Sequence, residues 1–157
     1  MMNAGFTLTL LGLLAATLVW IAVVDIRTFT ISNKLNLAIA LAAPIFWVAA
    51  GIDFWPDAGA RVATAVAVFM LFAVAFYMNA MGGGDVKLAG ALALWFPPAA
   101  TVKLVVLTSL AGGALTLIVA GLHKYQQKEG RPEVPYGVAI AFGGLWLLAQ
   151  RFLNHFA

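Results

Sequence analysis

The sequence contains no cysteine and very few charged side chains. Without cysteine there is no disulfide framework, no thiolate metal ligand and no cysteine nucleophile. Only 10% of the 157 residues are charged, whereas 64% are hydrophobic. Ordinary soluble domains carry roughly a quarter charged residues. This composition argues against a soluble enzyme, a disordered tail or a solvated coiled coil, and it favours a polytopic membrane protein.

Basic residues are also too few and too scattered to form a nucleic-acid footprint. The net charge is only +3, and in a membrane protein positive residues are more typical of orientation signals. The first 24 residues carry no charge at all. Because the basic segment and cleavage site of a signal peptide are not evident there, we expect a retained first membrane helix.

The charges divide the chain into long uncharged, apolar runs. A helix needs about 20 apolar residues to cross the hydrocarbon core, and five runs are long enough. Backbone polar groups in lipid must be satisfied internally, which favours helices. We therefore expect an all-α, polytopic membrane bundle in a single domain over residues 1–157, with short loops. Its six predicted helices are 6–24, 35–52, 62–80, a short fourth at 86–97, 101–122 and 136–153.

Positive residues predict how this bundle is oriented. If six helices alternate in direction, one side has six basic residues: Arg27, Lys34, Lys87, Lys124, Lys128 and Arg131. The other side has three: Arg61, Lys103 and Arg151. Since cytoplasmic loops carry the excess of Lys and Arg, the first side is predicted to be cytoplasmic, and both termini are predicted to face outward.

Two of the six acids differ from the rest. Four lie in polar loops, where a solvated charge is the simplest interpretation: Asp53, Asp57, Glu129 and Glu133. Asp25 and Asp85 instead adjoin long apolar runs, on the same predicted side. An ionisable group at membrane depth is a functional-site hypothesis by default. The alternative is that each is a headgroup-level charge, paired with Arg27 or Lys87.

Two carboxylates held close together cannot both ionise cheaply, so one keeps a proton. The charged one can take a proton from water while the neutral one donates to a carbonyl oxygen. That is general acid–base hydrolysis of an amide, and it requires no metal and no cofactor. Helices 1 and 3 run in the same direction, so both acids are expected at one face.

A run of three glycines, Gly82, Gly83 and Gly84, directly precedes Asp85. Each glycine costs about 1 kcal/mol in a helix interior relative to alanine. Glycines can adopt positive φ and let another backbone approach closely. At an active site we expect the run to end helix 3, aim Asp85 and leave room for an extended substrate. A plain helix stop or a small-residue packing face is the simpler alternative.

Three segments together resemble the type IV prepilin peptidases. The segment MGGGDVKLAGAL resembles the family's GxGD motif through Gly82, Gly84, Asp85 and Lys87. The segment VVDIRTFTISNKLNL resembles its first aspartate region through Asp25, Arg27, Ile31 and Asn33. The segment EVPYGVAIAFGGL resembles its late Pro-Tyr-Gly stretch through Pro135, Tyr136 and Gly137. The three motifs occur in the family's order.

The resemblance implies an intramembrane aspartyl protease with Asp25 and Asp85 as the catalytic pair. It implies removal of the short basic leader of a prepilin at the cytoplasmic side of the bacterial inner membrane. Longer members carry an extra N-terminal region with paired cysteines and also methylate the pilin. This sequence begins almost at helix 1 and resembles the short Flp/Tad-type members, so we expect no methyltransferase activity. The archaeal preflagellin peptidases are similar, and the length and the VPYG stretch favour a pilin.

Residues that adjoin the two acids and the Pro-Tyr-Gly stretch have expected roles as well. Lys87 would favour ionisation of a nearby carboxylate, or it would only snorkel to the headgroups. Asn33 is expected to cap helix 2 rather than to contact substrate. Tyr136 is expected to pack helix 6 against the site, and Pro135 to begin that helix.

Two other classes of function remain open. One is a non-catalytic membrane scaffold of a pilus or secretion assembly, which would tolerate Asp25→Asn and Asp85→Asn. The other is a proton-coupled transporter, which also uses intramembrane acids. Transporters tend to contain internal repeats, and the sequence shows none.

Overall fold

The computed structural model describes residues 4–127, 130 and 132–156, without the side chains of 154–156. Within these ranges all regular structure is helical, which confirms the predicted all-α bundle. The six helices are α1 (Ala4–Thr28), α2 (Asn33–Ala50), α3 (Gly59–Tyr77), α4 (Gly83–Ala93), α5 (Pro98–Tyr125) and α6 (Tyr136–Phe156). A single π-helical turn (Phe54–Ala58) leads into α3. Lys128, Glu129 and Arg131 lie outside the described residues.

Five of the helices are long and apolar enough to cross a membrane: α1, α2, α3 together with its leading turn, α5, and α6 as far as Leu153. The chain is therefore a multi-pass membrane protein, as the composition predicts. Helix α4 differs, because its 11 residues rise only roughly 16 Å. The prediction of a short fourth helix is confirmed, although it begins at Gly83 rather than at residue 86.

Contacts between helix ends define two ends of the bundle. At one end the last turns of α1 meet the start of α6, where the Val138 N–H donates to Asp25 Oδ2 over 3.2 Å. The starts of α2 and α4 meet at the same end, where Asn36 Nδ2 donates to the Gly84 carbonyl over 2.9 Å. We call this the carboxylate end, after Asp25 and Asp85.

The opposite end gathers the start of α1, the end of α2, the starts of α3 and α5, and the end of α6. Thr7 Oγ1 donates to the Ala49 carbonyl over 3.0 Å, which ties α1 to α2 there. We call this the cationic end, after Arg61, Lys103 and Arg151. The grouping of helix ends matches the predicted alternation of direction, and α4 with the residues after it connects one end to the other.

The carbonyl groups that follow α4 are satisfied by side chains of neighbouring helices. Trp47 Nε1 donates to the Leu94 carbonyl over 2.9 Å, and an Arg61 guanidinium N–H donates to the Trp95 carbonyl over 3.0 Å. Trp95 returns a bond from its indole nitrogen to the Ile39 carbonyl. Unsatisfied carbonyls at a helix end cost several kcal/mol each in lipid. These bonds explain how a short helix can end inside the bundle.

Helix α4 is the core of the bundle rather than part of its surface. Its side chains Leu88 and Leu92 are fully buried. A Cβ atom at Gly144 of α6 would lie 2.8 Å from Leu92 and 2.9 Å from Leu18 of α1. The glycine therefore lets three helices pack closely, as small residues do in membrane bundles. Many apolar side chains on the outer helix faces remain exposed, where they can contact lipid.

The glycine run does not behave as the sequence predicted. Helix α3 ends at Tyr77, and Gly83 and Gly84 are the first residues of α4. None of the three has positive φ; among described glycines only Gly51 and Gly130 do. The predicted third helix, 62–80, is therefore too long at its end. Asp85 explains the difference, because its carboxylate accepts the Gly82 N–H over 3.1 Å and stabilises a helix start there.

Candidate active site

Asp25 lies one turn before the end of α1, inside the protein. Only 2% of its surface is exposed, so it is not a headgroup-level charge. Its Oδ2 accepts the Val138 N–H in the first turn of α6. The N-terminus of a helix attracts negative charge because its N–H groups are unpaired and its dipole is positive. Helix α6 therefore supplies the local stabilisation that this buried carboxylate needs when it is ionised.

Gly137 makes the contact between α1 and α6 possible. A Cβ atom at this position would lie 2.8 Å from Asp25 Oδ2 and 2.7 Å from Ile31 Cδ1. Real Cβ atoms do not come so close without displacing a neighbour. The late Pro-Tyr-Gly stretch thus contacts the predicted catalytic carboxylate through its glycine.

Asp85 lies in the first turn of α4, and 7% of its surface is exposed. Helix α4 is outside the five spanning helices. Burial, together with the nearby charge of Asp25, raises the pKa of Asp85 to about 7. The two carboxylates are therefore close enough to interact, although they come from different helices. Two carboxylates that interact in this way cannot both ionise cheaply, and their titration belongs to the pair rather than to either residue.

Ile31 lies between the two acidic segments. A Cβ atom at Gly84 would be 3.2 Å from both Ile31 Cβ and the Ile31 carbonyl oxygen. The same isoleucine contacts Gly137 on its other side. The expectation that the glycine run admits another backbone is confirmed at Gly84. Ile31, known from the sequence only as a motif position, sets the spacing between the segments that carry Asp25 and Asp85.

Asn36 is a site residue that the sequence analysis missed. It is 4% exposed, and its side-chain nitrogen bonds the Gly84 carbonyl, one residue before Asp85. Its Oδ1 is buried without a partner among the described residues. A polar side chain on an otherwise apolar helix was the available signal. Asn36 fixes the first turn of α4 and leaves a hydrogen-bond acceptor unused.

The charged neighbours do not pair with the two acids. Lys87 is exposed, and its Nζ donates to Asn33 Oδ1 over 2.8 Å. Arg27 is exposed in the last turn of α1. The alternative in which each Asp is a surface charge paired with Arg27 or Lys87 is therefore wrong. Asn33 does not cap α2 either, since Ser32 is the capping residue and Asn33 is the first residue of the helix.

Tyr136 and Pro135 support the site indirectly. The Tyr136 hydroxyl is 2.8 Å from Thr116 Oγ1 of α5, and its ring lies against Gly112. Tyr136 therefore packs α6 onto α5 rather than onto the carboxylates. Pro135 directly precedes the first residue of α6, and its carbonyl accepts the Val138 N–H.

An apolar groove of about 500 Å³ lies between α2, α3 and α4, and Lys87, two residues after Asp85, is among its lining residues. Its polar lining is confined to Asn33, Asn36 and Lys87, at the carboxylate end. The remaining lining is apolar: Leu37, Ala40, Val62, Ala65, Val66, Phe69, Gly90, Ala91 and Leu94. Within residues 4–127, 130 and 132–156, no three His, Asp or Glu side chains are placed to hold a metal ion.

Comparisons with known proteins identify a family and curated relatives of this chain. The model of the "Type IV leader peptidase family" matches residues 12–117, a range that includes both Asp25 and Asp85. A "Prepilin leader peptidase/N-methyltransferase" of Pectobacterium carotovorum subsp. carotovorum is 29% identical over 94% of this chain and 60% of its own length. A protein with the same description from Burkholderia pseudomallei (strain 1026b) is 27% identical over 90% of this chain and 46% of its own.

The chain spans about half the length of the curated relatives it matches. A comparison with solved structures found no match. The family model alone covers well over half of the chain. The chain belongs to the type IV leader peptidase family.

Proposed function

We propose that this protein is an aspartyl endopeptidase that removes the N-terminal leader from type IV prepilins. The observation that best supports the proposal is the pair of buried carboxylates, Asp25 and Asp85, which two different helices bring together at one end of the bundle. Family membership supports peptidase chemistry, and the curated relatives are described as prepilin leader peptidases. As the finer assignment we propose an Flp/Tad-type prepilin as substrate.

The proposed reaction uses the single shared proton. The ionised carboxylate accepts a proton from a water molecule, whose oxygen bonds to the peptide carbonyl carbon. The protonated carboxylate donates its proton to the carbonyl oxygen, which gives a neutral tetrahedral intermediate. The carboxyl group that took the water proton then gives a proton to the nitrogen, and the other carboxylate takes a proton from a hydroxyl of the intermediate. The C–N bond breaks, the leader leaves as an acid and the pilin as an amine, and the pair again holds one proton. Because N–H groups at the start of α6 face Asp25, this acid is our choice for the ionised member at the start of the reaction.

The groove between α2, α3 and α4 is the proposed seat of the prepilin's apolar segment. Its wall is apolar along most of its length, and its polar residues lie beside Asp85. The resemblance places the cleavage point just ahead of an apolar helix. A helix lying in this groove would therefore put the preceding peptide bond near the carboxylates. Asn36 lines the groove at the carboxylate end, so its side chain would contact the bound segment there.

The bundle is proposed to be one integral domain in the bacterial inner membrane. The carboxylate end faces the cytoplasm in this proposal, because Arg27, Lys34, Lys87 and Lys124 outnumber the described basic residues of the cationic end. Both acids lie within a helical turn of a helix end rather than at the middle of a span. This position suits a protease that receives a leader from one side better than it suits a transporter.

The test is co-expression with a candidate prepilin, followed by mass spectrometry of the pilin. Wild type is compared with Asp25→Asn and Asp85→Asn, and Asp53→Asn serves as the control because Asp53 is an exposed loop carboxylate. Immunoblotting of membranes confirms equal amounts of each variant. We expect wild type and the control to remove the leader, and each site variant to be slower by roughly 100- to 10,000-fold.

Each outcome has a defined meaning. Equal processing by all four proteins would refute the carboxylate pair and favour the scaffold alternative. An added methyl group on the pilin would contradict the expected lack of methyltransferase activity. Failure with an Flp/Tad-type prepilin but success with another type IV prepilin would overturn only the finer substrate assignment.

A further inference from the structure

The cationic end contains a large cavity that the proposed peptidase reaction does not use. Its volume is about 950 Å³, nearly twice that of the groove beside Asp85. It lies between α1, the end of α2, the starts of α3 and α5, and the end of α6. None of the residues that carry the proposed reaction lines it.

Three basic side chains from three different helices line this cavity: Arg61 of α3, Lys103 of α5 and Arg151 of α6. No Asp or Glu is among its described lining residues. Asp57, the acid nearest to Arg61 in the sequence, is close enough to act on the Arg61 charge, but it is exposed and lies outside the lining. Arg61 is buried, whereas Lys103 and Arg151 are exposed and keep part of their hydration. A group of positive side chains around one cavity makes its potential positive and attracts anions. Their convergence from separate helices therefore points to a negatively charged occupant.

Arg61 gives a second, independent indication. It is 8% exposed, and one of its terminal nitrogens is fixed by the Trp95 carbonyl. Its Nε is buried without a partner among the described residues. A buried, unused donor on a guanidinium is costly. Arg61 also lines the cavity, so a phosphate there would meet a guanidinium that the described residues pair only in part, and guanidinium groups match phosphate geometry well.

The rest of the lining is suited to hydrocarbon. Leu8, Leu11, Val48, Leu147 and Phe152 form apolar walls next to the three cations. A small inorganic ion would leave most of this volume and its apolar surface unfilled. An amphiphile with an anionic head and acyl chains matches both parts of the lining, and the membrane around the spanning helices supplies such molecules.

We propose that this cavity is a binding site for an anionic phospholipid, whose phosphate is held by Arg61, Lys103 and Arg151. The acyl chains lie along the apolar wall formed by α1 and α6. The bound lipid would thereby connect α3, α5 and α6 at this end of the bundle.

The test measures lipid binding to the full chain purified in an uncharged maltoside detergent. Native mass spectrometry records the retention of dioleoyl phosphatidylglycerol, and of dioleoylglycerol, which has the same acyl chains and no phosphate. The key variant is Lys103→Gln/Arg151→Gln, which leaves Arg61 and its bond to Trp95 intact. The matched control is Lys34→Gln/Lys124→Gln, which removes the same charge from exposed positions at the other end.

Wild type and the control are expected to bind phosphatidylglycerol at least about tenfold more tightly than the key variant, which corresponds to the loss of one or two charge-assisted contacts. Dioleoylglycerol is expected to bind all three proteins alike. Equal retention of phosphatidylglycerol by all three proteins would refute the site. So would weaker binding of dioleoylglycerol by the key variant than by wild type and the control, because dioleoylglycerol has no phosphate. The thermal midpoint of each protein shows that the variants are folded.

Inorganic phosphate in the same thermal assay separates a lipid from a soluble anion. We expect no stabilisation of wild type at millimolar phosphate. A stabilisation that the key variant loses would overturn the lipid assignment in favour of a soluble anion. Prepilin cleavage is not needed for any of these measurements, so failure of the peptidase proposal leaves this test unaffected.

Discussion

The two ends of the bundle contain charged side chains of opposite sign and surround them differently. The carboxylate end buries two acids, and it is closed tightly by backbone that approaches Asp25 and Ile31 at glycine positions. The cationic end has three basic side chains around an open cavity. Each end contains one buried side chain with an unused polar atom, Asn36 Oδ1 and Arg61 Nε. The unused atom is an acceptor at one end and a donor at the other, and each fits a different kind of ligand.

At each end of the bundle, the terminus of a neighbouring helix stabilises one buried charge. Asp25 faces the start of another helix, where N–H groups and the helix dipole favour negative charge. Arg61 instead bonds a carbonyl that follows the end of α4, where partial negative charge accumulates. Helix termini thus stabilise one charge at each end. At the cationic end Lys103 and Arg151 are exposed, and the Arg151 guanidinium also lies 5.1 Å from the centre of the Phe46 ring.

Apart from removal of either carboxylate, the largest effect is expected from crowding the carboxylate end at Gly137. In Gly137→Ala the new Cβ would displace the Asp25 carboxylate and Ile31 Cδ1, both of which are side-chain ends that can move. Folding should therefore survive, whereas cleavage should fall by about 100-fold because a reacting group is misplaced by a fraction of an ångström to 1 Å. The rate of prepilin cleavage and the thermal midpoint together check this.

Gly113→Ala is the matched control, because nothing lies within 4 Å of a Cβ at this position in α5. It should keep the cleavage rate and gain up to about 1 kcal/mol of stability. An active Gly137→Ala enzyme would show that the close approach of α6 to Asp25 is not required.

The second effect concerns the stability cost of Asp85. Burial raises the pKa of Asp85 to about 7, so between about pH 4 and pH 7 the folded state keeps a proton that the unfolded state has lost. The free energy of unfolding therefore falls progressively as pH rises through this range. Above pH 7 the ionised group destabilises the protein by about 4 kcal/mol at most. Asp85→Asn should therefore raise the thermal midpoint at pH 8 by about 3 °C or more, and the gain should shrink by pH 5.

Asp53→Asn, which changes an exposed carboxylate, should show no such gain at either pH. A lower thermal midpoint for Asp85→Asn at pH 8 would contradict the burial cost. The wild-type cleavage rate should decline above about pH 7, since the proton that the pair shares is then lost.

The outline of the fold could be predicted from the sequence. The surrounding lipid sets the length and hydropathy that a membrane-spanning helix needs, so such helices can be located without knowing which helices they pack against. Asp25 and Asp85 were identifiable for the same reason, since a charge beside an apolar run is conspicuous. The start of α4 at Gly83 was not predictable. It depends on the Asp85 carboxylate bonding the Gly82 N–H and on Ile31 lying against Gly84.

Asn36 was missed, and Arg61 was interpreted only as an orientation signal, for a related reason. The sequence marks each as a polar residue in or near an apolar run, but their partners lie 48 and 34 residues away. Only the packing of α4 between α2 and α3 brings those partners within reach. A cavity is less predictable still, since it arises where several helix ends fail to fill space.

Asn36→Leu should separate positioning from stability at the carboxylate end. The substitution loses the bond to the Gly84 carbonyl, but it also removes a buried oxygen that has no partner. The two effects oppose each other, so the free energy of unfolding should change by no more than about 1 kcal/mol. Cleavage should nevertheless fall by about tenfold, because the first turn of α4 carries Asp85. Unaltered cleavage would exclude Asn36 from both positioning and substrate binding.

The smallest effect is expected from Lys87, and it decides between two roles suggested by the sequence. If the Lys87 charge kept one carboxylate ionised, Lys87→Met would move the alkaline limit of cleavage upward by a whole pH unit or more. In the structure its Nζ is exposed and bonds Asn33 instead, and exposed charges act weakly because water screens them. We therefore expect the alkaline limit to move by less than about half a unit, and stability to change by less than about 0.5 kcal/mol. Lys124→Met controls for loss of an exposed charge elsewhere on the same side. An upward shift in Lys87→Met alone would mean that the electrostatics of the pair extend to the protein surface.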